Sequence, residues 1–126
     1  MSAPAANPAA PGASLHVACL CAAWCRTCEG YAEVFEAAMV QLRQAQPELQ
    51  ARWIDIEDEA ELLGDVDIET FPTLVVVQGG QVRFAGPLTP QPETLNRVLR
   101  AALGGGPATP QAAEIEAFAR RLVRGP

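Results

Sequence analysis

One short stretch decides the fold, and it reads Ala22-Ala23-Trp24-Cys25-Arg26-Thr27-Cys28. It follows an apolar segment that favours a buried strand, Ser14–Leu20, and opens a segment with helical spacing of apolar residues, Thr27–Gln46. A cysteine at a helix start lies beside unpaired backbone N–H groups and the positive end of the helix dipole, which both favour the thiolate. We therefore expect Cys25 to be the reactive thiol.

The spacing between Cys25 and Cys28 predicts that the two cysteines act as a pair. Two residues separate Cys25 from Cys28, so Cys28 lies one turn into the helix and the two sulfurs can join with little backbone movement. In such a pair one cysteine attacks a target disulfide and the other resolves the mixed disulfide. The sequence predicts a redox-active disulfide between Cys25 as nucleophile and Cys28 as resolving cysteine.

Composition leaves few other candidates for chemistry. The chain has one histidine, His16, and no lysine. A Ser-His-Asp triad would need Ser14 and His16 from one short stretch, and a Schiff base has no lysine to form on. The net charge of −6 argues against nucleic acid as a partner. No apolar run is long enough to cross a bilayer, so we expect no membrane partner either.

The downstream pattern predicts alternating helices and strands. We expect strands at 52–56, 73–77 and 82–85, and helices at 58–66, 92–103 and from Thr109, which caps a helix with Pro110 at its first position. A Gly79-Gly80 turn joins the last two strands as a hairpin. The order is βαβαββα plus an extra C-terminal helix, an α/β fold with a mixed sheet and helices on both faces.

A family resemblance rests on two motifs. Trp24-Cys25-Arg26-Thr27-Cys28 resembles the Trp-Cys-X-X-Cys signature of thioredoxins, and Phe71-Pro72-Thr73 resembles the family's cis-proline loop, which lies beside the cysteine pair and docks substrate backbone. Gly86 matches a glycine that borders the family's substrate groove. The resemblance implies a minimal thioredoxin fold, with Trp24, Phe71, Pro72 and Gly86 as substrate-binding residues.

The chain also departs from that family. Cys19 stands where thioredoxins have a buried acid, and Trp53 stands where they have the lysine that contacts it. The usual proton acceptor for the resolving cysteine is therefore missing, which predicts slower turnover. Cys19 is expected to be a small buried hydrophobe. Cys21 faces the same side of the strand, and an auxiliary thiol remains an alternative role for it.

Four segments follow from this reading. They are an Ala/Pro-rich N-terminus expected to be disordered (1–13), a thioredoxin-like domain (14–103), a linker (104–108) and a C-terminal amphipathic helix (109–126). The stripe of the last helix consists of Ile115, Phe118, Ala119 and Leu122. We expect this helix to pack on the domain, with partner binding as the alternative.

The resemblance implies a thiol–disulfide oxidoreductase that acts on protein disulfides or thiols, without cofactor or metal, and is recharged by a reductase. We expect a monomer, and we expect it in the cytoplasm because residues 1–13 lack the basic region of a secretory signal. Two alternatives stay open. One is a thioredoxin-like binding or adaptor module whose groove lies at Phe71 and Pro72, and the other is a metal site built from the four cysteines.

Overall fold

The computed structural model describes residues 14–104 and 110–124. Within them the elements are β1 (Leu15–Cys21), α1 (Arg26–Ala45), β2 (Leu49–Asp55), α2 (Ala60–Leu63), β3 (Thr73–Gln78), β4 (Gln81–Pro87), α3 (Pro92–Ala102) and α4 (Ala113–Arg124). The predictions for residues 1–13, for most of the linker and for a cap at Thr109 lie outside the described residues.

The strands form one mixed sheet in the order β2-β1-β3-β4. Strand β1 runs parallel to β2 and antiparallel to β3, and β3 runs antiparallel to β4. Gly79 and Gly80 adopt φ values of 60° and 80° in the hairpin, which a residue without a side chain reaches at no steric cost. A mixed sheet flanked by helices is the fold class that the sequence predicts, and the structure confirms it.

One face of the sheet packs against α1 and α3. Strand β1 alternates, so Leu15, Val17, Cys19 and Cys21 point to this face. Helix α1 supplies Tyr31, Phe35 and Met39 to the same core, and α3 supplies Leu95 and Leu99. The alternation carries Cys19 and Cys21 to the side on which α1 begins.

The opposite face packs against α4. Ala18 and Leu20 of β1 contact a core that includes Phe118, Ala119 and Leu122 from the predicted stripe. Helix α4 also contacts α2, where the Arg121 guanidinium donates hydrogen bonds to the carbonyls of Leu62 (2.7 Å) and Leu63 (2.9 Å). Those carbonyls lie at the end of α2 and have no partner within that helix. The hydrogen bonds from Arg121 therefore link α4 to α2.

Two helices differ from the predicted bounds. Helix α2 is shorter than 58–66, because the Asp55 carboxylate accepts the N–H groups of Glu57 (2.8 Å) and Asp58 (3.3 Å) in a turn before the helix, and Gly64 ends the helix at φ 60°. Helix α4 begins at Ala113, so the placement of Pro110 at its first position is wrong. The Glu116 carboxylate accepts the Gln111 N–H (3.2 Å), and the helical hydrogen bonds start at the Ala112 carbonyl.

The packing of α4 is testable at Phe118, whose side chain is 0% exposed. Phe118→Ala should lower the free energy of unfolding by about 3–5 kcal/mol, because it removes buried apolar surface and leaves a cavity. Arg120→Ala, an exposed position on the same helix, should change it by no more than about 0.5 kcal/mol. Urea unfolding followed by tryptophan fluorescence measures both variants, and equal midpoints would show that α4 does not pack on the sheet.

Candidate functional site

Three cysteines meet where β1 ends and α1 begins. Cys21 is the last residue of β1, Cys25 is the N-cap of α1, and Cys28 lies in the first turn of that helix. The Cys25 N–H donates to the Ala22 carbonyl (3.0 Å) and the Cys28 N–H to the Cys25 carbonyl (3.1 Å), so the chain turns tightly between strand and helix. All three cysteines line one pocket of about 240 Å³, with Trp53 at its wall.

The structure bonds Cys28 to Cys21, with their Cα atoms 5.9 Å apart. The disulfide expected between Cys25 and Cys28 is therefore not the one that the structure holds. Cys28 points inward, on the buried face of α1 that also carries Tyr31, and Cys21 points toward that face from β1. Cys25 is a free, half-buried thiol at the helix start.

The aromatic residues that the sequence placed beside the cysteines lie together. The Trp24 ring is 64% exposed and meets the Phe71 ring edge-on, with centroids 5.5 Å apart. Phe71 packs, like Cys25, against the core under α1. The Phe71–Pro72 peptide bond is cis, and the Pro72 carbonyl accepts the Leu88 N–H (2.9 Å). The exposed Trp24 ring thus belongs to the residue next to the free thiol in the chain, and it is held against the half-buried Phe71.

Gly86 lies apart from this surface. It belongs to β4, opposite Leu74, and lines a second pocket of about 280 Å³ together with Thr70 and Thr73. The lining of the cysteine pocket does not include Gly86. Its role toward substrate therefore remains a prediction from the resemblance.

Behind the cysteine pocket lie two buried titratable groups. Cys19 is fully buried, and burial raises the pKa of its thiol to about 12. Burial also raises the pKa of Tyr31 to about 12, and a negative charge on Cys19 adds to the effect. The Tyr31 hydroxyl is buried without a hydrogen-bond partner among the described residues. Where thioredoxins have a buried acid, this chain thus has the Cys19 thiol, which is neutral at neutral pH.

Two residues of this region were not predicted as site residues. Tyr31 follows Cys28 by three residues, and this helical spacing places both on one face of α1. The spacing is the sequence feature from which the position of Tyr31 near the cysteines could be predicted. Asp55 lies opposite Cys21 in the parallel pairing of β1 and β2, and it lines the cysteine pocket. Trp53 lies opposite Cys19, as its assignment to the lysine position requires, and its ring centroid is 6.0 Å from that of Phe35.

The family of this fold is shown by sequence. The thioredoxin family model matches residues 10–100, most of the chain. The chain belongs to the thioredoxin family. No curated protein matches the sequence. A thioredoxin fold with a pair of nearby cysteines supports chemistry of the thiol–disulfide oxidoreductase type at the level of the family.

Solved thioredoxin-fold structures agree with this assignment. The germline-specific thioredoxin Deadhead of Drosophila melanogaster superposes with a TM-score of 0.57 at 16% identity, over 73% of this chain and 84% of Deadhead. Malassezia sympodialis thioredoxin gives 0.58 at 20% identity, over 71% and 76% of the two chains. Zinc-bound human ERp44 gives 0.58 at 17% identity over 71% of this chain but only 27% of ERp44. At these identities the likeness shows the fold alone.

Two further properties bear on the alternatives. Across residues 14–104 and 110–124, no group of three or more His, Cys, Asp or Glu side chains is arranged to hold a metal ion. In the same part, every helix is too short or too polar to cross a bilayer.

The buried thiol and phenol predict a loss of stability at alkaline pH. Folding raises the pKa of Cys19 from 9.0 and of Tyr31 from 10.0, both to about 12, so their contribution is fully present below pH 9 and is lost as pH rises toward 12. Urea unfolding between pH 8 and pH 11 should show falling stability, and both Cys19→Ala and Tyr31→Phe should flatten the fall.

The same two variants give a control at neutral pH. Tyr31→Phe removes an unpartnered buried hydroxyl and should not lower stability there, whereas Cys19→Ala leaves a small cavity and should lower it. Tyr31 is the single tyrosine of the chain, so tyrosinate absorbance reports on it directly. Titration of that absorbance near pH 10 in the folded protein would contradict the assignment.

Proposed function

We propose that this chain is a thiol–disulfide oxidoreductase that reduces disulfides in protein substrates, with Cys25 as nucleophile and Cys28 as resolving cysteine. The observation that carries the proposal is the position of Cys25, a free and half-buried thiol at the N-cap of α1. The first N–H groups of that helix have no partner within it, and Cys25 stands beside them. Cys28 lies three residues further on, in the first turn of the helix, and lines the same pocket as Cys25.

The reaction balances without a cofactor. The Cys25 thiolate attacks one sulfur of the target disulfide, and the other target sulfur leaves as a thiolate and takes up a proton. The Cys28 thiolate then attacks the Cys25 sulfur and releases the second target sulfur. The substrate gains two electrons and the protein becomes oxidised. A dithiol-supplying reductase restores the protein, and it must also open the Cys21–Cys28 bond, because Cys28 acts only as a free thiol.

The surface beside Cys25 suits an unfolded or extended protein segment. Trp24, the residue before Cys25, offers an exposed ring that is in edge contact with the half-buried Phe71, and Phe71 precedes the buried Pro72. Aromatic rings bind peptide side chains of many kinds, so this contact supports a broad range of protein substrates. We assign Trp24, Phe71, Pro72 and Gly86 to substrate binding, with Gly86 in β4 opposite Leu74 of β3. A cytoplasmic monomer, kept reduced there, is the setting we propose.

The proton that Cys28 must lose needs an acceptor other than a buried acid. Burial raises the pKa of the Cys19 thiol, whereas Glu29 and Asp55 are acidic residues that line the pocket holding the other cysteines. Pocket water together with these carboxylates is the acceptor we propose. The pocket is open to solvent, so its water and carboxylates are less firmly oriented than a fixed internal base. We therefore expect turnover slower than in thioredoxins that have the buried acid.

A binding module with little redox turnover is the second candidate. The observation that favours it is the Cys21–Cys28 bond, which occupies the resolving cysteine and leaves Cys25 as a lone thiol beside the aromatic surface. A module of this kind would hold a partner covalently through Cys25 or through contact with Trp24 and Phe71 alone.

Insulin reduction with dithiothreitol as electron donor distinguishes the two candidates. The wild-type chain should accelerate the reaction at least tenfold over dithiothreitol alone, and Cys25→Ser should abolish the acceleration because the attacking sulfur is gone. Cys28→Ser should lose turnover and, when incubated with insulin without dithiothreitol, should accumulate a mixed disulfide between Cys25 and an insulin chain, visible by mass spectrometry and released by added reductant. Cys19→Ala, which removes a buried cysteine outside the pocket, serves as the matched control.

No acceleration by the wild-type chain, with a normal melting temperature, would leave the binding module as the better account. Turnover by Cys25→Ser equal to that of the wild type would refute the role of Cys25.

A further inference from the structure

We infer that Cys21 is a third redox cysteine, which competes with Cys25 for Cys28 and gives the oxidised protein two disulfide isomers. The inference rests on the proposed function, because it concerns the availability of the resolving cysteine. It starts from one observation: the bond of Cys28 in the structure runs to Cys21 of the strand and not to Cys25 of its own helix.

The geometry places Cys28 between two partners. Cys21 approaches it from the end of β1, at a Cα separation of 5.9 Å, within the ordinary range for a disulfide. Cys25 is the N-cap of the helix that carries Cys28 in its first turn. All three cysteines line the same pocket, so we expect Cys25 as well as Cys21 to reach Cys28.

The two partners differ in exposure. Cys21 and Cys28 are 2% and 4% exposed, so their disulfide is sheltered from a substrate thiol. Cys25 is half-buried and borders the exposed Trp24. The isomer with a Cys21–Cys28 bond therefore presents a thiol to the substrate, whereas the isomer with a Cys25–Cys28 bond presents a disulfide at that surface.

One intramolecular exchange interconverts them. The Cys25 sulfur, as thiolate, attacks the Cys28 sulfur, so a Cys25–Cys28 bond forms and the Cys21–Cys28 bond breaks. Cys21 leaves as a thiolate and takes up a proton from pocket water, which replaces the proton that Cys25 gave up. One disulfide is exchanged for another, so no external oxidant or reductant takes part.

This exchange controls what the oxidised protein does. In the Cys21–Cys28 isomer, Cys25 still attacks a substrate disulfide, but Cys28 cannot resolve the product, so the mixed disulfide persists. In the Cys25–Cys28 isomer, the protein accepts electrons from a substrate dithiol. Cys21 thus switches the oxidised chain between retaining a protein and oxidising it, and it stabilises the oxidised state by offering Cys28 a second partner.

Disulfide mapping tests the inference directly. The full chain is oxidised with diamide and unfolded in urea at mildly acidic pH, its free thiols are blocked there with N-ethylmaleimide, and it is digested with trypsin. The chain has no lysine and its first arginine is Arg26, so Cys19, Cys21 and Cys25 fall in one peptide and Cys28 in the next. We expect that linked pair to carry maleimide on Cys25 in most molecules. Maleimide on Cys21 in all molecules would overturn the inference.

Cys21→Ala and Cys21→Ser supply the second measurement, two variants being used because the position is buried. Oxidised, both should map to Cys25–Cys28 alone and lose maleimide labelling of Cys25. If the Cys21 isomer makes up about nine-tenths of oxidised protein, removing it lowers the equilibrium constant for oxidation by glutathione about tenfold, or about 30 mV. Cys19→Ala is the control and should leave the disulfide map unchanged.

The outcomes separate the inference from the proposed function. An equilibrium constant unchanged in both Cys21 variants, together with loss of insulin reduction in Cys25→Ser, would refute the inference and leave the proposed function standing. Insulin reduction that survives in Cys25→Ser would refute the proposed function, whichever disulfide the map shows.

Discussion

All side chains of β1 except that of His16 are buried, because β2 and β3 pair with its two edges and helices cover both of its faces. This burial has a consequence for chemistry at the end of the strand. Side chains alternate between the faces, so once Leu15 and Val17 face α1, Cys19 and Cys21 must face it as well. The first turn of α1 begins over the same edge of the sheet. The meeting of Cys21 and Cys28 is therefore a result of strand register and helix placement.

The burial of β1 on its second face depends on α4. The core there contains Ala18 and Leu20, whose apolar surface would face solvent without Phe118 and Leu122. Arg121 adds a polar anchor, because its guanidinium satisfies two carbonyls at the end of α2. The glycine after those carbonyls, Gly64, leaves room for the guanidinium, since a Cβ there would lie 2.5 Å from Arg121 Nη2. The C-terminal helix is thus part of the scaffold that fixes the cysteines.

The sequence predicts the elements well where one pattern dominates. The continuous apolar run of β1, the stripe of α1 and the Gly79-Gly80 turn each have a single reading, and the structure contains all three. The predicted bounds of strands and helices are wrong where a side chain accepts a hydrogen bond from a backbone N–H group. The Asp55 carboxylate ends β2 in a turn and delays α2, and the Glu116 carboxylate holds the Gln111 N–H ahead of α4. The secondary-structure propensities of the residues contain no information about such hydrogen bonds between side chains and the backbone.

The partner of Cys28 is the part of the site that spacing alone does not determine. Spacing along the helix makes Cys25 the obvious partner, whereas the parallel pairing of β1 and β2 and the inward face of α1 decide how near Cys21 comes. Each isomer also leaves one cysteine unpaired. An unpaired Cys25 stands at the helix N-cap, half in solvent, whereas an unpaired Cys21 is buried in the core under α1. The pairing of Cys21 with Cys28 therefore leaves the free sulfur at the place that a substrate reaches.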